Sequence, residues 1–229
     1  MLPTEDERRS GFLERLTARL PGLSHDEAPG GRGGEPRPSK ALPRFLSRMS
    51  TREAPVLLDL GPVVGDNVAF FGERLGCKLL IEDLYADVER LTREKRFDTF
   101  KDTLETRLSV APGSVDGVLC WDLFDFLDQG AARALAARLV TLLSPGGMLL
   151  GYFETAPSAV TGYQRFVVKD AHAIQLRPYG GSRRRQLVLS NRDIERMFSG
   201  LRVTESFLLL SKTREVLLRK PPAPGSEPA

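Results

Sequence analysis

The residues best suited to chemistry in this chain are acids and glycines set at the ends of apolar runs. Val56-Leu57-Leu58-Asp59 is a continuous apolar run closed by an acid, as in a central parallel strand covered on both faces. Leu60-Gly61-Pro62-Val63-Val64-Gly65-Asp66-Asn67 follows as a turn and the start of a helix. Gly61 and Gly65 have no Cβ, so the turn can be tight and can come close to a ligand. Asp66 is placed to cap the helix, and Val68, Phe71 and Leu75 give it an inward face. Gly76 suits a left-handed stop. Residues 77–81 then read as a second strand ending in Glu82-Asp83. Strand, glycine turn, helix, strand and acid is the layout of a nucleoside-binding βαβ unit. A carboxylate at the second strand's tip accepts both hydroxyl protons of a ribose, which a neutral side chain does less well.

The elements that must position these residues are legible around them. A capping box at Thr4-Glu5-Asp6-Glu7 opens an amphipathic helix over 1–20, with Phe12, Leu13, Leu16 and Leu20 on one face. Its polar face mixes both charge signs. This favours packing on its own domain, or on a twin subunit in a homodimer, over docking to a membrane. Residues 21–38, with four prolines and Gly30-Gly31-Arg32-Gly33-Gly34, are expected to be a flexible linker. Leu42, Phe45, Leu46 and Met49 predict a second helix, in which Pro43 falls in the first turn. After Asp83, helical spacing runs through Val88 and Leu91, then Phe97, Phe100, Leu104 and Leu108. Any further strand there is confined to 108–110. Residues 116–121 form the next strand, ending in Trp121-Asp122, with a short turn or helix over 123–127. Ala131, Leu135, Leu139 and Leu142 line a helix over 131–143. Ser144-Pro145-Gly146-Gly147 stops it ahead of a buried strand at 148–153.

Ser190-Asn191-Arg192-Asp193 starts the last helix, carrying Ile194, Met197, Phe198 and Leu201. Strands at 203–210 and 215–219 are joined too tightly for a parallel crossover, so they form an antiparallel hairpin. A disordered tail is expected over 221–229. Between 155 and 189, Tyr163, Arg165, His172, Arg177 and Tyr179 accompany short extended pieces at 166–168 and 186–189. The Arg183-Arg184-Arg185 run can hold a phosphate or an acidic partner, but a solvated loop is the favoured reading.

Composition bounds the function. The chain has 229 residues, 41% of them hydrophobic, enough for one sizeable α/β core. Its 33 basic and 30 acidic residues leave a net charge of only +3, which argues against a nucleic-acid-binding surface. No apolar run is long enough to span a bilayer. Cys77 and Cys120 lie within the predicted buried strands and read as reduced core residues, which suits the cytoplasm. With only His25 and His172 beside them, no metal-ligand cluster is visible.

Three motifs, in order, carry a resemblance to the class I S-adenosylmethionine-dependent methyltransferases. They are Leu58-Asp59-Leu60-Gly61 with Gly65; Val115-Asp116-Gly117-Val118 leading to Trp121-Asp122; and Leu142-Leu143-Ser144-Pro145-Gly146-Gly147-Met148-Leu149. The resemblance covers about residues 40–219. It implies a Rossmann-like, doubly wound α/β domain over 39–220, with a mostly parallel sheet, a closing antiparallel hairpin and the N-terminal helical extension. It also implies S-adenosylmethionine as cofactor and an unidentified methyl acceptor as partner. Asp59, Gly61, Pro62 and Gly65 would surround the amino-acid end of the cofactor. Glu82 or, preferably, Asp83 would take the ribose, with Leu84-Tyr85 on the adenine side. Trp121 and Asp122 would stand beside the methyl group. The resemblance supplies no catalytic acid or base, and methyl transfer does not require one, since the sulfonium is already electrophilic. Where the family's loop has a further glycine, this chain has Pro62-Val63-Val64. Val63 is therefore expected to crowd the ligand's approach, and Pro62 lacks an N–H donor. The alternative reading is a module that keeps the fold as a scaffold or regulatory partner without catalysis.

Overall fold

A computed structural model describes residues 33–156, 162–181 and 185–223. The expected 1–20 helix, His25, Arg183, Arg184 and residues 224–229 lie outside the described residues.

The main sheet has six strands: β2 (Val56–Asp59), β3 (Lys78–Ile81), β4 (Val115–Trp121), β5 (Leu143–Glu154), β8 (Arg202–Leu208) and β9 (Thr213–Arg219). Their order across the sheet is β3-β2-β4-β5-β9-β8. The first four are mutually parallel, while β9 runs antiparallel to both β5 and β8. This is a Rossmann-like α/β sheet closed by the antiparallel hairpin expected from the sequence. No strand forms at 108–110. The helical spacing instead continues as a 3₁₀ turn at Phe97–Thr99 and a helix, so β3 is an edge.

Strand alternation divides the core between two faces. Leu58, Val118, Leu149 and Leu218 point to one side. There they meet α3 (Leu84–Arg93), α4 (Phe100–Arg107), α5 (Gln129–Leu142) and α6 (Asn191–Met197). Leu57, Leu119, Leu150 and Leu217 point to the other. That side is covered by α1 (Leu42–Met49), α2 (Gly65–Val68, continuing as a π-helical stretch through Arg74) and a second, small sheet. The small sheet is antiparallel, with order β1 (Arg37–Pro38), β7 (Ala173–Pro178), β6 (Gln164–Asp170). Helix α1 approaches β4 so closely that a Cβ on Gly117 would stand 2.6 Å from the Met49 sulfur and 2.8 Å from Phe45.

Several local expectations meet their geometry. Ser190 and Asp193 form a reciprocal capping box on α6, and Gly76 takes φ +65° where the π-helical stretch stops. Others do not. Asp66 caps nothing: the N-cap position is Val64, and Asp66 instead faces Lys169 at 3.2 Å and Arg177 at 3.8 Å. Val68 is exposed, and the π-helical widening turns Phe70 inward beside Phe71. Strand β5 begins at Leu143 rather than Met148, with an irregular register between Val115–Leu143 and Gly117–Met148 that takes up the Pro-Gly-Gly turn. Residues 37–38, expected in the linker, pair with β7.

Candidate functional site

In an open, mostly parallel sheet, ligands bind at the strands' carboxyl ends, where successive connections diverge to opposite sides. Here that point lies between β2 and β4. The chain goes from β2 outward to β3, then returns past β2 to β4. The crevice is ringed by Asp59 and Gly61 after β2, Asp83 after β3, and Trp121 and Asp122 at the end of β4. The structure brings together most of the residues singled out from sequence.

What lies inside the ring is the chain itself. Trp121 is 2% exposed and donates its indole N–H to Asp59 Oδ1 at 2.6 Å, bridging the crevice from β4 to β2. Gly61 N–H donates to the same oxygen at 2.9 Å. A Cβ on Gly61 would stand 2.8 Å from Trp121 Cδ1, so this glycine makes room for the indole. Trp121 holds φ +48°, a backbone region that costs a bulky residue energy and is kept only where its surroundings enforce it. Phe166 of β6 stacks on the indole at 4.9 Å between centroids, sealing it from above.

The side of the crevice toward Asp83 is filled too. Tyr163, just before β6, is fully buried and stacks on Tyr85 at 3.9 Å, with planes 4° apart. Tyr179, just after β7, meets both rings edge-on. Burial raises the Tyr163 phenol well above its usual range, and Asp122, Asp83 and Asp59, which surround it, raise it further. Its hydroxyl has no hydrogen-bond partner among the described residues. Asp83 is committed: it caps α3 through Ala86 N–H at 3.1 Å and accepts from Tyr179 OH at 2.9 Å. Glu82 turns away to Arg107 at 3.1 Å.

The remaining expectations sort plainly. Val63 is 70% exposed and does not crowd the crevice; the crowding comes from Trp121 and Tyr163. Pro62 is buried beside Gly61, while Gly65 is exposed with open space where a Cβ would go. Asp122 leaves the crevice floor to meet Arg185 at 2.8 Å, and Arg185 also pairs with Asp125. Arg185 is therefore an inward ion-pair partner and not part of a solvated loop. Burial pushes Asp59 up to about 6, against the pull of its Gly61 and Trp121 bonds, and pushes Asp122 up to about 7 despite Arg185. Tyr163, Asp125 and Arg185 were not legible as site residues, because their partners lie tens of positions away.

The glycine turn after β2 and the acid Asp83 after β3 are in place, and Trp121, Tyr163 and Tyr85 pack between them. No family model matches the chain, and no curated protein matches it. Solved structures do resemble it, at low identity. A methyltransferase from Clostridium acetobutylicum described as S-adenosylmethionine-dependent is 12% identical, covers 80% of this chain and 92% of its own, and gives a TM-score of 0.48. The glycopeptide N-methyltransferase MtfA in complex with S-adenosylmethionine is 17% identical over 89% of this chain and 100% of its own, with a TM-score of 0.45. The 1,6-didemethyltoxoflavin-N1-methyltransferase of Burkholderia thailandensis, bound to S-adenosylhomocysteine, is 15% identical over 80% and 77%, with a TM-score of 0.45. The fold itself rests on the strand order described above.

Proposed function

We propose that this chain is a methyltransferase-fold module that works by binding a partner or ligand and does not itself transfer methyl groups. The observation that carries this reading is the bridged crevice. Trp121 spans from β4 to Asp59 on β2, sealed by Phe166, while Tyr163 occupies the adjoining space against Tyr85. These are core side chains, and moving them out would expose apolar surface at about 25 cal/mol per Å².

Methyl transfer from S-adenosylmethionine to an unidentified acceptor is the second reading. The glycine turn ordered by Asp59 and the acid Asp83 at the tip of β3 favour it. It requires Trp121 and Tyr163 to leave the crevice. Calorimetric titration of S-adenosylmethionine and S-adenosylhomocysteine into the full chain separates the two, with Asp83→Asn as the control. Asparagine keeps the helix cap but removes the carboxylate that a ribose would use. No saturable heat is expected from the wild type. Micromolar binding lost in the variant would overturn the first reading in favour of the second.

A further inference from the structure

Helix α1 packs over β4 and β5 and leaves a groove of about 670 Å³ between itself and the β8–β9 hairpin, within the size range of small-molecule sites. Arg44 and Arg48, one turn apart on α1, line one wall, with Lys40 just before the helix and His172 beside it. Helix and hairpin run side by side. The Lys40 and Ala41 N–H groups donate to Glu215 of β9. Next along, Arg44 pairs with Glu205 at 2.8 Å, and Glu205 lies opposite Leu217 of β9. One turn further on α1 stands Arg48; two residues further on β9, on the face that carries Leu217, stands Arg219. Each step is about 6–7 Å, so the two arginines come to the same end of the groove. Neither has an ion pair or a side-chain hydrogen bond among the described residues, and the buried Nε of half-buried Arg219 finds no acceptor either. The lining brings Lys40, Arg44, Arg48 and Arg219 against one carboxylate, Glu205, which Arg44 already holds. The carboxylates behind it are engaged as well: Glu215 caps α1, and Asp116 pairs with Arg52.

We propose that this end of the groove binds a small phosphate-bearing anion between Arg48 and Arg219. A half-buried guanidinium is costly to leave uncompensated, and no proton can be shed to relieve it, because arginine stays charged. Guanidinium forks suit the several oxygens of a phosphate group, which can accept from both arginines at once. The Arg44–Glu205 pair crosses the groove, and the Arg44 guanidinium lies 5.5 Å from the centre of the Phe207 ring. This bridge interrupts the path of an extended acidic chain but leaves room for a compact anion beyond it. The site lies toward the amino end of β5, where Arg219 pairs with Met148, away from the crevice at the carboxyl ends of the parallel strands. The proposal therefore stands under either reading of the crevice.

The test is a titration of sodium pyrophosphate into the full chain at neutral pH, followed by NMR shifts of the Met148 and Leu217 methyl groups, which line the groove. Sodium chloride at matched ionic strength and a hexaglutamate peptide serve as controls. Saturable shifts are expected with pyrophosphate alone. Arg48→Ala, on the exposed face of α1, should fold as the wild type does and bind about tenfold more weakly. Arg219→Lys keeps the charge but loses the fork, and should bind about threefold more weakly. Arg133→Ala removes the same charge from exposed α5, on the other side of the sheet, and should leave binding unchanged. Absence of saturable shifts with pyrophosphate overturns the proposal. So does unchanged affinity in both Arg48→Ala and Arg219→Lys, and so does equal weakening by Arg133→Ala, which would reduce the effect to overall charge. Binding of hexaglutamate as tight as that of pyrophosphate would also overturn it, and would assign the groove to an acidic peptide instead.

Discussion

At the scale of single residues, Asp59 and Trp121 define how this crevice behaves. Asp59 has a folded-state pKa of about 6 against an ordinary 3.8, mainly through burial. Between those values the folded chain holds a proton that the unfolded chain has lost, so stability falls as pH rises through the window. Asp122, pushed to about 7, extends the same slope upward. Thermal melts should therefore show the wild type more stable near pH 5 than near pH 7.5, by on the order of 1–3 kcal/mol. Asp59→Asn keeps an oxygen for Gly61 and Trp121 but cannot ionise. It should flatten the part of the slope between roughly pH 4 and 6 and stabilise the chain at neutral pH. Trp121→Ala carries the opposite sign. Loss of a buried indole costs about 3–5 kcal/mol, and alanine, which keeps the Cβ, does not ease the strain at φ +48°. The variant should melt lower, yet gain more stability from S-adenosylhomocysteine than the wild type does. Equal responses in the two proteins would show that Trp121 does not close the crevice. The Asp59 role was legible in sequence because its partner lies two residues on. The indole was not, because it fills the crevice only once β2 and β4 lie side by side.

At the scale of elements, the part that matters most was the least legible. Strands β2 to β5 and the β8–β9 hairpin announce themselves as apolar runs between turn residues, and α6 by its capping box. The small sheet does not, because β6 and β7 pair with each other while β1 comes from about 135 positions earlier. A buried side chain helps to fasten it to the main domain. Asn67, buried in α2, donates to Phe166 C=O at 2.8 Å and accepts from Val168 N–H at 2.8 Å. It therefore acts as a strand partner for β6. Asn67→Ala would leave both backbone groups buried without partners, at about 1–3 kcal/mol each. Hydrogen exchange should then accelerate across β6 and β7 while β4 and β5 stay protected. A uniform acceleration across the chain would mean that the small sheet is not held separately. The resembled Val115-Asp116-Gly117-Val118 motif has a similar structural use at the opposite end of the sheet. Asp116 pairs with Arg52, accepts from Val56 N–H at 2.9 Å and takes Ser144 OH at 2.9 Å, tying β2, β4 and β5 together.

At the scale of the whole molecule, residues 34–38, in the stretch that composition marks as linker, are held by the fold. Gly34 N–H donates to Leu176 C=O at 3.1 Å, Gln175 Nε2 reaches Gly34 C=O at 2.9 Å, and Arg37–Pro38 pair with β7. Next, Ser39 N–H donates to His172 C=O at 2.7 Å, and the Lys40 and Ala41 N–H groups both donate to the buried Glu215 carboxylate at 2.8 Å. That carboxylate caps the start of α1 from β9, where the helix dipole favours negative charge. Glycine and proline content cannot disclose this, because the segment is held by backbone pairing and not by its own apolar side chains. Two truncations therefore differ. Removal of residues 1–32 should leave the cooperative melt of the remaining chain within about 1 kcal/mol of the full chain, since every bond named above survives. Removal of 1–38 strips the edge partner of β7 and takes away the bonds of Gly34 to Leu176 and Gln175. It should lower the melting temperature by roughly 2–8 °C, equivalent to about 1–2 kcal/mol. Coincident melts for the two truncations would place the true boundary after Pro38 and leave β1 without a structural role.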